Sequence, residues 1–216
     1  MAKSTNKEFT TSRYLATFAL ATLFFIIGIL IGNAITSNKL QNIKSTEENL
    51  KLEMSDFNMQ AELAEFYPCN NYMLYSLGER LDELGAKIVM LENQLGKSNE
   101  FVIELKKPYS LIQIQHYLLI KKRIEKCNEN YFIILFFYSN KPEYIRESEK
   151  QGYVLTYLAD KYGYNRVKVY SIDEELDMGV VKALKEIYGI KTFPSTLLNE
   201  KLYVGFHDLE ELEKDF

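Results

Sequence analysis

Residues 14–36 carry no formal charge and are apolar on every side of a helix, from Tyr14 through Leu30 to Thr36. At about 1.5 Å per residue such a helix reaches roughly 35 Å, enough to cross a hydrocarbon core of about 30 Å. The pattern predicts a transmembrane helix over 14–36 after a tail of residues 1–13. Its apolar core exceeds the roughly 7–15 residues of a cleaved signal peptide, so an uncleaved anchor is preferred to cleavage near Gly32, Asn33 and Ala34. Lys3, Lys7 and Arg13 precede the span with Glu8 opposing them, whereas Lys39 and Lys44 follow it. This bias puts the N-terminus in the cytoplasm and everything after Thr36 outside it, with the lipid bilayer as the first partner. Gly28 and Gly32 stand one helical turn apart, and Ala21 and Thr36 prolong that face, on which two helices can approach closely in lipid.

A different period follows. Apolar residues recur at Leu40, Ile43, Leu50, Met54, Phe57, Ala61 and Ala64, the alternating spacing of a heptad seam, with Glu47 interrupting one position. The seam predicts a stalk helix over 37–66 and, with the glycine face, a parallel homodimer through residues 21–64. Pro68, Asn70 and Asn71 end the stalk, and a second seam runs through Leu74, Leu77, Leu81, Leu84, Ile88, Leu91 and Leu95. A third helix is expected over about residues 109–126, with Pro108 suited to its first turn and Leu111, Ile112, Tyr117, Leu118, Leu119 and Ile124 on a broad apolar face. Residues 67–130 therefore read as a helical hairpin region. Its stripes must be buried, in an antiparallel hairpin or against the same helices of another chain. Lys121, Lys122, Arg123 and Lys126 gather in the last turn, where the helix dipole favours cations. His116 lies among apolar neighbours, reads as a packed or partly exposed side chain, and is given no role.

After Asn130 the heptads give way to alternating strands and helices. Residues 131–138 form an unbroken apolar run, as in a strand covered on both faces. A helix over 143–161 stops at Gly163 and Asn165, and residues 167–172 form a second strand. A short helix over 178–188 is closed by Gly189. Strands over 195–198 and 202–204 then flank a turn at Asn199, Glu200 and Lys201, and a last helix starts at Asp208. The fold class is an α/β C-terminal domain of order βαβαββα over residues 131–216, preceded by a transmembrane helix and a helical, coiled-coil region.

That order, with Pro194 directly before the first arm of the closing hairpin, resembles the thioredoxin fold over residues 131–216. Residues 188–206 match best, with Phe193, Pro194, the hairpin turn and Gly205. The resemblance implies that Pro194 is cis and lies beside the place of the family's dithiol. In thioredoxins a Cys-x-x-Cys opens the helix after the first strand, where the helix N-terminus lowers the attacking thiol's pKa. Residues 138–152 hold no cysteine. The segment is similar to membrane-tethered prokaryotic relatives in which Cys-x-x-Cys precedes Glu-x-Gln-Gly. Glu149, Gln151 and Gly152 then place Ile145 and Ser148 at the cysteine positions. Pairing Pro142 with the proline of a Cys-Gly-Pro-Cys motif places Asn140 and Glu143 there instead. Neither pair performs thiol–disulfide exchange, so the family's reductase activity is not implied.

Composition narrows the remaining options. Lys and Arg number 26 against 30 Asp and Glu, a net charge of -4 over 216 residues, without the single-sign excess of a nucleic-acid binder. Cys69, Cys127, His116 and His207 have no metal-ligand spacing, so neither a metal nor a cofactor is expected. If the second and third helices run antiparallel, Cys69 and Cys127 fall at one end of the hairpin and are expected to form a disulfide outside the cytoplasm. Hydrolase, Walker and dinucleotide motifs are absent, and Glu174, Glu175 and Asp177 read as a solvated loop. Ten of the 16 tyrosines fall in the C-terminal domain, and a Tyr-rich face around Pro194 would suit an extended peptide. The chain thus reads as a membrane-anchored, redox-inactive thioredoxin-like module for protein binding or assembly. Its rivals are an oxidoreductase working through Cys69 and Cys127 and a structural stalk of a membrane complex.

Overall fold

The computed structural model describes residues 6–216, apart from the side chains at residues 6–11, 34–51, 53 and 65. It divides into two units, Met1–Glu53 and Met54–Phe216. Helix α1 (Asn6–Phe66) makes up the first and supplies its last residues to the second. Residues 6–13 of the expected tail are helical, because nothing between Asn6 and Arg13 breaks a helix. Ser12–Asn33, 22 residues of mean hydropathy 2.5, is long and apolar enough to cross a membrane and has none of its surface buried. The Thr17 and Thr22 hydroxyls turn back onto the Arg13 and Phe18 carbonyls at 2.9 Å, which satisfies them without water. Gly28 and Gly32 lie on the exposed helix surface. The seam side chains of Leu40, Ile43, Glu47 and Leu50 fall outside the described residues.

In the second unit, the distal seam residues Phe57 and Ala64 are buried within the chain itself, and Asn58 accepts a hydrogen bond from Gln115 at 2.7 Å. Helix α2 (Asn71–Leu95) starts where the Asn70 side chain accepts from the Tyr72 and Met73 amides. Its seam is buried from Leu74 to Ile88, but Leu95 is exposed.

Helix α3 (Glu100–Cys127) begins earlier than expected, under an Asn99 cap, and Pro108 sits inside it instead of in its first turn. A proline there forfeits a hydrogen bond and costs about 3 kcal/mol. Burial of Val102 and Lys106 in the preceding turns holds the helix through the defect. The basic last turn is also different from its expected form. Arg123 is only 1% exposed and donates to the Pro68 carbonyl at 2.5 Å, the Asn70 carbonyl at 3.0 Å and Asn71 Oδ1 at 2.7 Å, while gripping the Glu129 carboxylate. It satisfies two carbonyls of the α1–α2 turn. Beside this clamp, the sulfurs of Cys69 and Cys127 stand at the disulfide-bonding distance of 2.03 Å.

Strand β1 (Phe132–Tyr138) is central in a mixed sheet of order β2-β1-β3-β4. It runs parallel to β2 (Val167–Asp173) and antiparallel to β3 (Ser195–Leu198), which pairs antiparallel with β4 (Lys201–Val204). Helices α4 (Ile145–Tyr162), α5 (Gly179–Ile187) and α6 (Leu209–Leu212) complete the order βαβαββα, with a short 3-10 turn at the C-terminus. The hairpin turn is two residues, Asn199 and Glu200, both at positive φ, and Lys201 belongs to β4, since such a turn matches the strand twist.

One face of the sheet packs on α4 through Ile134, Phe136, Leu155, Leu158 and Val167. The other packs on α3, where Tyr170 meets the rings of His116 and Tyr117 and its hydroxyl lies 2.8 Å from His116 Nδ1. His116 is fully packed, and burial pushes its pKa down to about 4, with Lys168 adding to the shift and the Leu74 carbonyl opposing it.

Two outcomes test this packing. Arg123→Met strands Glu129 and the turn carbonyls, and urea unfolding should show a loss of about 3 kcal/mol. For His116, the unfolded chain takes up a proton below about pH 6.5 that the folded chain refuses until about pH 4. Stability therefore falls as pH drops through that window. The loss should be about 2 kcal/mol between pH 7 and pH 5 and should flatten in His116→Gln.

Candidate functional site

The carboxyl ends of parallel strands, where ligands usually bind in open α/β sheets, meet here at the loops after β1 and β2 and the loop before β3. The Ser139 amide donates to Ser148 Oγ at 3.2 Å, and the Ser139 hydroxyl and Asn140 amide donate to the Glu175 carboxylate at 2.8 and 2.7 Å. Glu174 is buried between Lys141 at 2.6 Å and Lys185 at 3.0 Å. Burial alone would raise its pKa, but the hydrogen bonds from both lysines hold it below the usual carboxylate range. Glu175 and Asp177 are exposed, as expected of a solvated loop, with Asp177 paired with Lys182. Glu174 alone is drawn inward, by Lys141 and Lys185, while Glu175 stays at the surface and accepts from the Ser139 hydroxyl and the Asn140 amide.

Ile145 and Ser148 occupy the first turn of α4, with Ile145 half-buried and Ser148 only 4% exposed. Asn140 and Glu143 lie in the turn before it, where Asn140 donates to Asp173 at 3.0 Å and Glu143 is exposed. The Phe193–Pro194 peptide bond is cis, and the Pro194 carbonyl accepts from the Gly205 amide at 2.8 Å. The Phe193 ring meets Tyr144 edge-on at 5.7 Å, which brings the proline loop against the start of α4. The tyrosines do not gather there. Tyr170 and Tyr203 are buried in the core, and Tyr153 and Tyr157 lie on the outer side of α4, because the helical period that turns Leu155 and Leu158 inward turns these two outward.

A second polar group went unseen in the sequence. Lys106, 3% exposed, bridges Glu92 at 2.6 Å and Asp173 at 3.0 Å. Desolvation pushes its pKa down, but hydrogen bonds and charge from Glu92 and Asp173 outweigh this and raise it, so the ammonium persists. No local signal marks it, because Lys106 precedes the helix expected over residues 109–126 and the next buried positions on its face, Ser110 and Gln113, are polar as well.

The chemistry open to this end of the sheet is limited. Both cysteines are paired. Cys127 precedes the first residue of β1, whereas Pro194 adjoins Ser195, which pairs with Phe137 near the last. Phe132 and Phe137 alone stand about 17 Å apart at roughly 3.3 Å per residue, so the disulfide and the proline loop belong to opposite ends of β1. The Ser139 hydroxyl faces carboxylates but is fully buried. Among the described residues no group of His, Cys, Asp and Glu could hold a metal ion.

No family model and no curated protein matches the chain. Among solved structures it is similar to chloroplastic thioredoxin z, at 15% identity over 44% of this chain and 83% of that one, with a TM-score of 0.34. It is also similar to the germline-specific thioredoxin Deadhead of Drosophila melanogaster, at 22% identity over 45% of this chain and 88% of that one, with a TM-score of 0.31. The thioredoxin-like assignment rests on the sheet itself, with a parallel β1–β2 pair, an antiparallel hairpin and Pro194 before its first arm.

Ser148→Ala should leave the buried Ser139 amide without its acceptor. The expected cost is about 1 kcal/mol, read as faster exchange of that amide with a small drop in the unfolding midpoint.

Proposed function

We propose that this chain is anchored in a membrane by residues 14–36 and presents, outside the cytoplasm, a thioredoxin-like domain that binds or assembles proteins and carries out no thiol chemistry. The observation that carries the reading is the side-chain content at the end of β1. Where thioredoxins place two cysteines, this chain has Ile145 and Ser148 or, on the other alignment, Asn140 and Glu143. A serine hydroxyl committed to the Ser139 amide and an amide committed to Asp173 serve structure there.

Support for the anchor is the length and hydropathy of Ser12–Asn33, and support for the orientation is the charge bias around it. The disulfide pair suits an oxidising compartment. The rival oxidoreductase is disfavoured because Cys127, paired with Cys69, leads into the start of β1, whereas the proline loop adjoins the other end of that strand. Homodimerisation through Gly28, Gly32 and the proximal seam remains part of the proposal, confined to residues before Phe57, which is already buried within the chain.

Insulin reduction by the purified full chain tests the reading. No turnover above a reductant-only control is expected. Turnover that disappears in Cys69→Ser would overturn it in favour of the oxidoreductase.

A further inference from the structure

Strand β2 lies at the edge of the sheet, with β1 on one side and no strand on the other. Its pairing fixes which backbone groups are in use. The Phe132 amide donates to the Arg166 carbonyl and the Glu174 amide to the Tyr138 carbonyl. Alternation along the strand therefore turns the amides and carbonyls of Lys168, Tyr170 and Ile172 toward β1, and those of Val167, Val169 and Ser171 outward. The Val167 amide is taken by the Gly163 carbonyl. The Val169 and Ser171 amides and carbonyls have no partner among the described residues, and Ser171 is exposed.

This edge is recessed. Val169 lines a cavity of about 200 Å³ between Gly78 and Asp82 of α2 and Thr156 and Ala159 of α4. Ser171 lines a neighbouring one of about 320 Å³ against Gly85 and Val89 of α2. The walls differ in chemistry. Val167 and Val169 turn toward the apolar side of α4, while Lys168 shares its face with Tyr170 and points toward α2 and α3. Lys168 is half-buried without an ion pair or hydrogen bond among the described residues. Burial holds its ammonium below the usual lysine range, with Asp82 opposing. A lysine that merely blunts a sheet edge would carry its charge out into water; this one keeps it in the recess.

We propose that the free edge of β2 is the docking site for an extended segment of a protein partner, which adds as a further strand with small apolar side chains toward α4 and an acidic one over Lys168. Strand addition supplies the missing hydrogen bonds to Val169 and Ser171, and the alternating walls supply specificity. The acid opposite Lys168 completes a cross-strand charge pair. A second copy of this chain is a poor occupant, because its own β2 edge lies between the same two helices and cannot reach into the recess. The proposal takes from the binding-module reading only that the partner is a protein. Insulin reduction tests that reading, and backbone protection at β2 tests this one.

The test uses the full chain in detergent micelles, the peptide acetyl-Thr-Val-Glu-Val-Thr-Val-amide as probe, and amide exchange resolved by NMR. Saturable slowing at Val169 and Ser171 is expected, with Lys168 and Tyr170 unchanged, and the probe should bind about fivefold more tightly than its Lys-for-Glu counterpart. Ser171→Pro removes an outward amide without touching the β1 ladder and should weaken binding about tenfold. Lys168→Glu should invert the preference between the two peptides, and it decides the matter if the proline variant does not fold. No protection up to about 1 mM peptide, or equal binding of both peptides, overturns the proposal. So does protection of Val169 and Ser171 in the protein alone that fades on dilution, which would mean that a second copy covers the edge.

Discussion

Helix α3 lies between α2 on one flank and strands β1 and β2 on the other, and faces water along the stripe through Glu104, Leu111, Leu118 and Glu125. The covered side of such a helix is ordinarily apolar, yet α3 buries Lys106, Gln113, His116 and Arg123 alongside Val102, Ile112 and Ile120. Three of these polar groups tie α3 to its surroundings at separate points along its length. Lys106 joins α2 to β2, His116 meets Tyr170 on β2, and Arg123 holds the turn between α1 and α2. A buried charge deprived of its partner costs several kcal/mol, so slippage of α3 by one turn would break all three ties together.

The same logic reaches the end of the sheet. Asp173 closes β2, accepts from Lys106 on α3, and accepts from Asn140 in the loop after β1. Glu174 and Glu175 then fasten that loop through Lys141, Ser139 and the Asn140 amide. Where a dithiol would need an accessible thiolate near a helix N-terminus, this chain has a lattice of carboxylates and donors that satisfy one another. Such a network holds geometry and leaves no reactive group facing outward. Among the described residues, backbone groups without partners lie along the outer edge of β2, away from this network.

Much of this was legible along the chain. The uncharged run from Tyr14 to Thr36, the second heptad seam and the apolar run before Tyr138 are local patterns whose period is set by helix and strand geometry; the first lies within the longer helix α1, and the other two correspond to α2 and β1. Pro194 and the absence of cysteine from residues 138–152 were likewise readable, because proline and thiol chemistry are properties of single residues. Boundaries set by competition were not readable. Pro108 looked like a helix start, but burial of Val102 and Lys106 against the rest of the fold outweighs the local preference of a proline. Arg123 looked like one member of a basic last turn, and Glu174 like a loop acid in water.

What the sequence by itself determined is therefore the inventory: an apolar span, amphipathic helices, a βαβαββα order, two cysteines at one end of the helical pair and no thiol beside Pro194. Tertiary structure decided which polar residues leave water, since that depends on partners brought from distant positions, as with Arg123 and the Pro68 carbonyl or Lys106 and Asp173. It also decided that β2 is an edge strand and that its edge is recessed between α2 and α4. Strand order and helix placement arise from contacts across the whole unit, and no local period encodes them.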